Sequence, residues 1–496
     1  MGGIAQLEID NESEIEPECR DQETPGLSGS RKRDAESWWS RPCGGRDVIR
    51  LALPLMVSTF SYSVMQFCDR MFLSWHSQSS LAAALPAGIM AWTFLAFPFG
   101  LALYTNVFVA QYFGAEQKKK IGSVLWHGLI LASMSIPLFA FSAIAPKLVF
   151  QWAGHEAGLI ANEAVYFRYM AIGSIGNIFG AVLTSFFIGQ GRTLVVMAID
   201  VAAAGLNILL DFLLIFGFAI GTFSLEPMGI MGAAIATSIA LWFKAAVAFL
   251  LVMRKKNRET FGLFDKFHFQ WSLVWRMLRF GSSNGIQFLV ECIGIAAFGL
   301  MIGRLGETQA AASTIAININ MLVFVPIFGL SMAVSTMVGQ QIGKGRPELA
   351  ARATWTSLQV AVTYTFLFGM SYLLLPKIYM LGFESGKTDF EATAQLVRGL
   401  LVFVAAYCIF DSIQIIFVGA IKGAGDTMFV ILTTIVCSTL FVVAGFVGQY
   451  IVGSTNGQLY WWWATLTGWI VLLCIVFGSR FLQGKWKSMK VIEHTL

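Results

Sequence analysis

Twelve predominantly apolar stretches divide this 496-residue chain, each roughly 20 residues long and so able to cross the hydrocarbon core of a bilayer. They centre near Val64, Phe97, Ser133, Gly176, Asn207, Leu241, Val290, Val325, Phe366, Val404, Ala444 and Leu472. Lipid offers backbone amides no partner, so such stretches must pair internally as helices. The expected fold class is an all-α integral membrane protein with twelve transmembrane helices. Only 13% of the residues are charged, against about 25% in soluble domains, which excludes a soluble globular protein.

Charge fixes the expected topology. Arg70 and Lys244 lie within spans, and the alternate loops hold only Lys147, Arg168, Arg304, Lys377, Lys387 and Arg398. All other Lys and Arg residues fall on the tails or on the loops that share their side. By the positive-inside rule both termini are cytoplasmic, in a multi-pass plasma-membrane protein. Residues 1–45 are polar, acid-rich from Asp10 to Glu23 and without a signal peptide, and read as a disordered cytoplasmic tail. Residues 46–253 hold spans 1–6, residues 254–275 form a basic cytoplasmic linker, residues 276–482 hold spans 7–12, and 483–496 form a second tail. The linker is read either as an interfacial segment or as a plain loop. The net charge of +5 is too unevenly spread to imply nucleic acid, and the seven scattered cysteines read as small buried residues.

The two six-span halves repeat. Gly100-Leu101, Gln111 and Gly114 recur 229 residues later as Gly329-Leu330, Gln340 and Gly343. Gly189-Gln190-Gly191-Arg192-Thr193 recurs 234 residues later as Gly423-Ala424-Gly425-Asp426-Thr427. An even number of spans per half makes the repeats parallel, giving two pseudo-symmetric six-helix lobes about an axis along the membrane normal. The acids break the repeat: Asp69 corresponds to Phe298.

Four acids, Asp69, Asp211, Glu291 and Asp411, lie within spans. A carboxylate at the bilayer centre costs about 2.5–3.5 kcal/mol on insertion scales, and such groups serve ion or substrate pathways. Each has neutral polar company three or four residues away, on the same helix face: Gln66 with Asp69, Asn207 with Asp211, Gln287 with Glu291 (and Asn284 three residues before Gln287, extending the stripe), Tyr407 and Gln414 with Asp411. Oxygen donors around a carboxylate suit Na⁺, and a desolvated carboxyl suits H⁺. Gln66, Asn284, Gln287 and Gln414 are expected to line the substrate path. Arg70 beside Asp69 leaves open a helix-to-helix ion pair, and Asp200 is equally readable as structural. Pro54, Pro98 and Pro326 are candidate kinks. The chain lacks a GxxxxGK[ST] loop, metal-ligand spacing and a nucleophile with its base, so neither ATP nor a cofactor is expected.

The chain resembles the multidrug and toxic compound extrusion (MATE) family over nearly all of residues 46–482. The resemblance rests on Leu51-Ala52-Leu53-Pro54-Leu55 running to Asp69-Arg70, on Val109-Ala110-Gln111-Tyr112-Phe113-Gly114-Ala115 and on Leu206-Asn207-Ile208-Leu209-Leu210-Asp211. It continues through the stretch from Gly229 to Thr237, Tyr407-Cys408-Ile409-Phe410-Asp411, and Lys422-Gly423-Ala424-Gly425-Asp426-Thr427. It implies a V-shaped pair of lobes and export of amphipathic organic cations in exchange for Na⁺ or H⁺, with no obligate protein partner. It further implies an N-lobe cation site of Asp69, Asn207, Asp211 and Thr237, a C-lobe site of Glu291, Tyr407 and Asp411, and a bending point at Pro54. Both sets are present, so the coupling lobe and the ion stay open. A lipid-linked oligosaccharide flippase on a related scaffold is the alternative transporter. A membrane-embedded enzyme or receptor is the alternative from another class.

Overall fold

The computed structural model describes residues 37–493, except 145, 153–156, 221–222, 266–267 and 381–389. The acid-rich segment to residue 36 lies outside the described residues. Twelve helices are long and apolar enough to span a membrane. In the first half these are span 1 (Gly45–His76), span 2 (Pro86–Gly114), span 3 (Lys118–Ile144), span 4 (Ile160–Gly189), span 5 (Thr193–Phe216) and span 6 (Gly229–Val252). In the second they are span 7 (Trp271–Gly303), span 8 (Glu307–Gly343), span 9 (Pro347–Leu374), span 10 (Glu391–Ala424), span 11 (Thr427–Ile451) and span 12 (Thr455–Gln483).

Local chemistry explains where the helices break. Span 3, which reads as a plain continuous helix, is two segments, Lys118–Ser133 and Ile136–Ile144. Pro137 lies in the first turn of the second, where its missing N–H costs nothing. Pro326 denies the Leu322 carbonyl its usual i+4 donor, and the Tyr364 hydroxyl of span 9 donates to it at 3.3 Å instead. A two-stranded antiparallel hairpin, β1 (Phe218–Ile220) and β2 (Phe223–Leu225), joins spans 5 and 6 in an otherwise helical chain.

The expected two-fold repeat is visible in the packing. Span 1 packs on span 5 as span 7 does on span 11; span 2 on span 4 as span 8 on span 10; span 4 on span 6 as span 10 on span 12. The lobes meet by the same symmetry, span 1 against span 8 and span 7 against span 2.

The repeated motifs form this joint. Gln111 Nε2 donates to the Gly423 carbonyl at 2.9 Å, and its counterpart Gln340 donates to the Gly189 carbonyl at 2.9 Å. Each glutamine reaches the glycine turn of the opposite lobe. A Cβ on Gly114 would collide with the Gln340 backbone, and one on Gly343 with that of Gln111. The helix ends therefore cross at a distance only glycine permits. Asn106 Nδ2 donates to Thr336 Oγ1 at 3.0 Å, Thr59 Oγ1 to the Val325 carbonyl at 3.0 Å, and Tyr104 to the Lys422 carbonyl at 2.9 Å. The glutamine, Asn106 and Tyr104 contacts lie toward the end of the spans that carries the described chain ends, and the Thr59 contact is mid-span.

Two boundaries differ from expectation. Span 7 begins at Trp271, inside the expected linker, which also contains a short helix, Lys255–Phe261. The C-terminal segment is docked rather than free. Trp486 is fully buried against Phe481, Glu493 pairs with Arg276 at 2.8 Å, and the Val491 N–H donates to Gln111 Oε1 at 2.9 Å. Periodicity missed this because the segment is short and has no helical or strand period; its signal is the apolar side chains after Gly484, of which Trp486, Val491 and Ile492 are buried.

Candidate functional site

The N-lobe acids come together from spans 1 and 5. Asp69 is 3% exposed and Asp211 fully buried, close enough for each charge to act on the other. Tyr166 of span 4 donates to Asp69 Oδ2 at 3.3 Å. Asn207 lies one turn before Asp211. Oriented to satisfy its neighbours, its amide nitrogen donates to Asp211 Oδ2 at 2.9 Å, and its oxygen accepts from Thr237 Oγ1 at 3.3 Å. Spans 1, 4, 5 and 6 thus each give one wall.

Two carboxylate oxygens in this cluster, Asp69 Oδ1 and Asp211 Oδ1, are buried with no hydrogen-bond partner. A buried ionised oxygen without a partner costs several kcal/mol. The group that relieves that cost is a proton or a small cation, and the surrounding hydroxyl and amide oxygens fit either. Arg70 is exposed, and Asp69 takes its hydrogen bond from Tyr166 rather than from it. Gln66 does not join Asp69 on this wall; its amide donates to the Tyr62 hydroxyl at 2.9 Å.

Asp200 is a different case. Lys244 Nζ of span 6 stands 2.6 Å from its Oδ1, and Ser58 of span 1 donates to its Oδ2. Both oxygens are satisfied, so the residue is a tie between three helices and not part of the cluster.

The C-lobe acids are only half-buried. Gln287 Nε2 donates to Glu291 Oε1 at 2.7 Å, and Gln414 Nε2 to Asp411 Oδ1 at 3.1 Å. The two acids lie within electrostatic reach of one another. Tyr407, buried one turn before Asp411, stacks over Trp463 at 6.4 Å between ring centroids. The polar stripe on span 7 divides: Gln287 turns to Glu291, whereas Asn284 donates across the joint to the Gly100 carbonyl at 2.5 Å. The position expected to line a substrate path is committed to lobe contact. Pro54 is buried within the span 1 helix, one residue before Leu55, whose carbonyl lies against Gly329 of span 8.

Sequence reasoning missed three residues. Tyr166 carries no distinguishing local pattern. Glu163, fully buried in the second turn of the helix that carries span 4, lies near the span's end and is not singled out by its sequence position. Lys422, read as a loop residue, belongs to the last turn of span 10. Its ammonium lies over the Phe288 ring at 5.4 Å. Among the described residues no group of three His, Cys, Asp or Glu is placed to hold a metal.

Comparison with known proteins agrees with this architecture. The family model described as MatE matches residues 54–213 and 285–447, one segment in each lobe. A probable multidrug resistance protein NorM of Xanthomonas axonopodis pv. citri is 29% identical over 381 residues, covering 76% of this chain and 81% of the relative. A protein of the same description from Thermotoga maritima is 25% identical over 456 residues, covering 90% and 94%. Among solved structures, an outward-facing multidrug resistance MATE transporter of the MOP superfamily superposes with a TM-score of 0.81 at 20% identity, covering 90% of this chain and 97% of that one. The eukaryotic MATE transporter AtDTX14 gives 0.77 at 18%, covering 89% and 96%. With the family model matched in both lobes, this chain belongs to the MATE family: it is a multi-pass membrane transporter and not an enzyme.

Proposed function

We propose that this transporter exports amphipathic organic cations in exchange for Na⁺ or H⁺, moving between a state open opposite the termini and one open on their side. The termini lie in the cytoplasm, following the distribution of Lys and Arg. The observation that carries the reading is the pair of partnerless buried oxygens on Asp69 and Asp211. Two acids enclosed by hydroxyl and amide donors stabilise a positive charge and are costly without one. A second positive passenger must then compete for the same charge, which is the basis of exchange. The multidrug resistance names of the relatives support an organic substrate. The oligosaccharide reading asks for a cluster of basic groups within the membrane; Lys244 is committed to Asp200, which leaves Arg70 on span 1 and Lys422 at the end of span 10, on different lobes.

Ethidium efflux by proteoliposomes under a Na⁺ gradient alone, then a pH gradient alone, tests the proposal. Asp211→Asn and Asp69→Asn are expected to abolish gradient-driven efflux while leaving the protein folded. Parent-level efflux in both variants overturns it.

A further inference from the structure

We propose that Lys422 is the positioning residue that links the C-lobe acids to the joint between the lobes. The inference rests on the exchange reading above and deepens it.

An α-helix leaves its last carbonyls without intrahelical partners. At the end of span 10 the Gly425 N–H donates to the Lys422 carbonyl at 3.0 Å, and the other lobe supplies further donors. Tyr104 donates to the Lys422 carbonyl at 2.9 Å, and Gln111 to those of Gly423 at 2.9 Å and Ala424 at 3.4 Å. The backbone of this turn is therefore one half of the joint. The Lys422 ammonium lies over the ring of Phe288, a residue of its own lobe, at 5.4 Å. Phe288 lies one turn before Glu291 on span 7 and packs against Gly100 of span 2, where an added Cβ would meet its ring at 2.9 Å. That places the ammonium within electrostatic reach of Glu291, with no direct ion pair between them among the described contacts. One residue thus has its carbonyl held by the N-lobe and its charge held beside a C-lobe acid.

The consequence is a competition. While Lys422 serves as counter-charge to Glu291, the last turn of span 10 is held in the position that Tyr104 and Gln111 bind. A cation entering the Glu291–Asp411 pair takes over that role and repels the ammonium. The turn is then released from its inner anchor, and the joint weakens. An ion arriving from the open side thereby favours opening on the termini side, the direction that exchange requires. A coupling of this kind is a differential affinity between two states, and reciprocity requires that closing the joint weaken cation binding.

The test places nitroxide-bearing unnatural amino acids at exposed Lys119 and Arg352, one in each lobe on the termini side. Interlobe distances are measured by double electron–electron resonance in choline chloride, in saturating NaCl and after acidification. The parent is expected to lengthen this distance with at least one ion. Lys422→Met is expected to abolish that response while tightening ion binding by about tenfold, since the competitor is gone. Lys422→Arg keeps the charge and the response. Tyr104→Phe leaves the ammonium in place and cuts its carbonyl's tie, so the distance lengthens at lower ion concentration; this variant serves if Lys422→Met fails to fold. A parental response in Lys422→Met, or a Tyr104→Phe protein identical to the parent, overturns the inference and leaves the exchange reading intact. A parent that responds to neither ion, with Asp69→Asn and Asp211→Asn still pumping ethidium, overturns both.

Discussion

The joint between the lobes predicts a ranked effect. Gln111 is fully buried and makes three hydrogen bonds across it: to Gly423 at 2.9 Å, to Ala424 at 3.4 Å and from Val491 at 2.9 Å. Its symmetry mate Gln340 makes one such bond, to Gly189 at 2.9 Å. A buried neutral hydrogen bond contributes about 1 kcal/mol net, and more when its removal strands a partner. The 3.4 Å contact is long and adds little. Gln111→Ala therefore weakens the closed joint by about 2–3 kcal/mol, a shift of roughly 30- to 150-fold toward the termini-open state, whereas Gln340→Ala gives about 1 kcal/mol, or roughly fivefold. The Lys119–Arg352 distance distribution reads both variants directly. The expected order is parent, then Gln340→Ala, then Gln111→Ala, with a growing long-distance population. Equal populations in the two variants, or a Gln111→Ala distribution matching the parent, refute the view that the joint is held by these amides rather than by apolar packing alone.

Three further outcomes follow from named contacts. Lys244→Met leaves Asp200 without its counter-charge and lowers thermal stability in detergent by about 1–3 kcal/mol, discounted for partial exposure; adding Asp200→Asn restores much of it. Gly343→Leu abolishes folded expression, because no side chain fits against Gln111 where the helix ends cross, and a size-exclusion profile like the parent's contradicts this. Trp486→Ala removes a fully buried indole and destabilises the protein by about 3–5 kcal/mol; an unchanged melting temperature marks the docked C-terminal segment as passive.

The fold was legible because lipid leaves few choices. Apolar length gave the spans, and the repeated glutamine and glycine positions gave the two halves. The acids stood out because charge at that depth is costly and usually serves an ion or substrate pathway. Which acids would meet was not legible. Helical spacing places residues on a face but does not say what faces them, so Asp200, on the same helix as Asp211, stayed readable either as structural or as part of a site. Only the neighbouring helices separate them: Lys244 satisfies Asp200, and no described residue satisfies Asp211 Oδ1. The same limit explains Asn284, whose spacing puts it with Glu291 while Gly100, far away in sequence, takes its amide. The docking of Val491 escaped for a related reason, since its partner Gln111 is 380 residues away.

The symmetry and its failure have separate causes. A joint that must close and reopen gains from reciprocal contacts, since each lobe then presents the same glutamine and the same glycine turn to the other. The acids gain nothing from duplication. Two equally enclosed sites would each trap a charge, and neither would sense the joint. On the exchange reading proposed above the work is divided: Asp69 and Asp211 are enclosed within one lobe, whereas Glu291 and Asp411 are half-buried in the other, beside the span 10 turn that Tyr104 and Gln111 hold. The asymmetry of the joint falls on that same turn, where the C-terminal segment and Tyr104 add bonds for which the Gln340 side has no described counterpart. A site that stores charge is best kept dry, and a site that reports charge to a gate is best placed at its edge. Asp69 corresponding to Phe298 in an otherwise repeated scaffold is the sequence trace of that division.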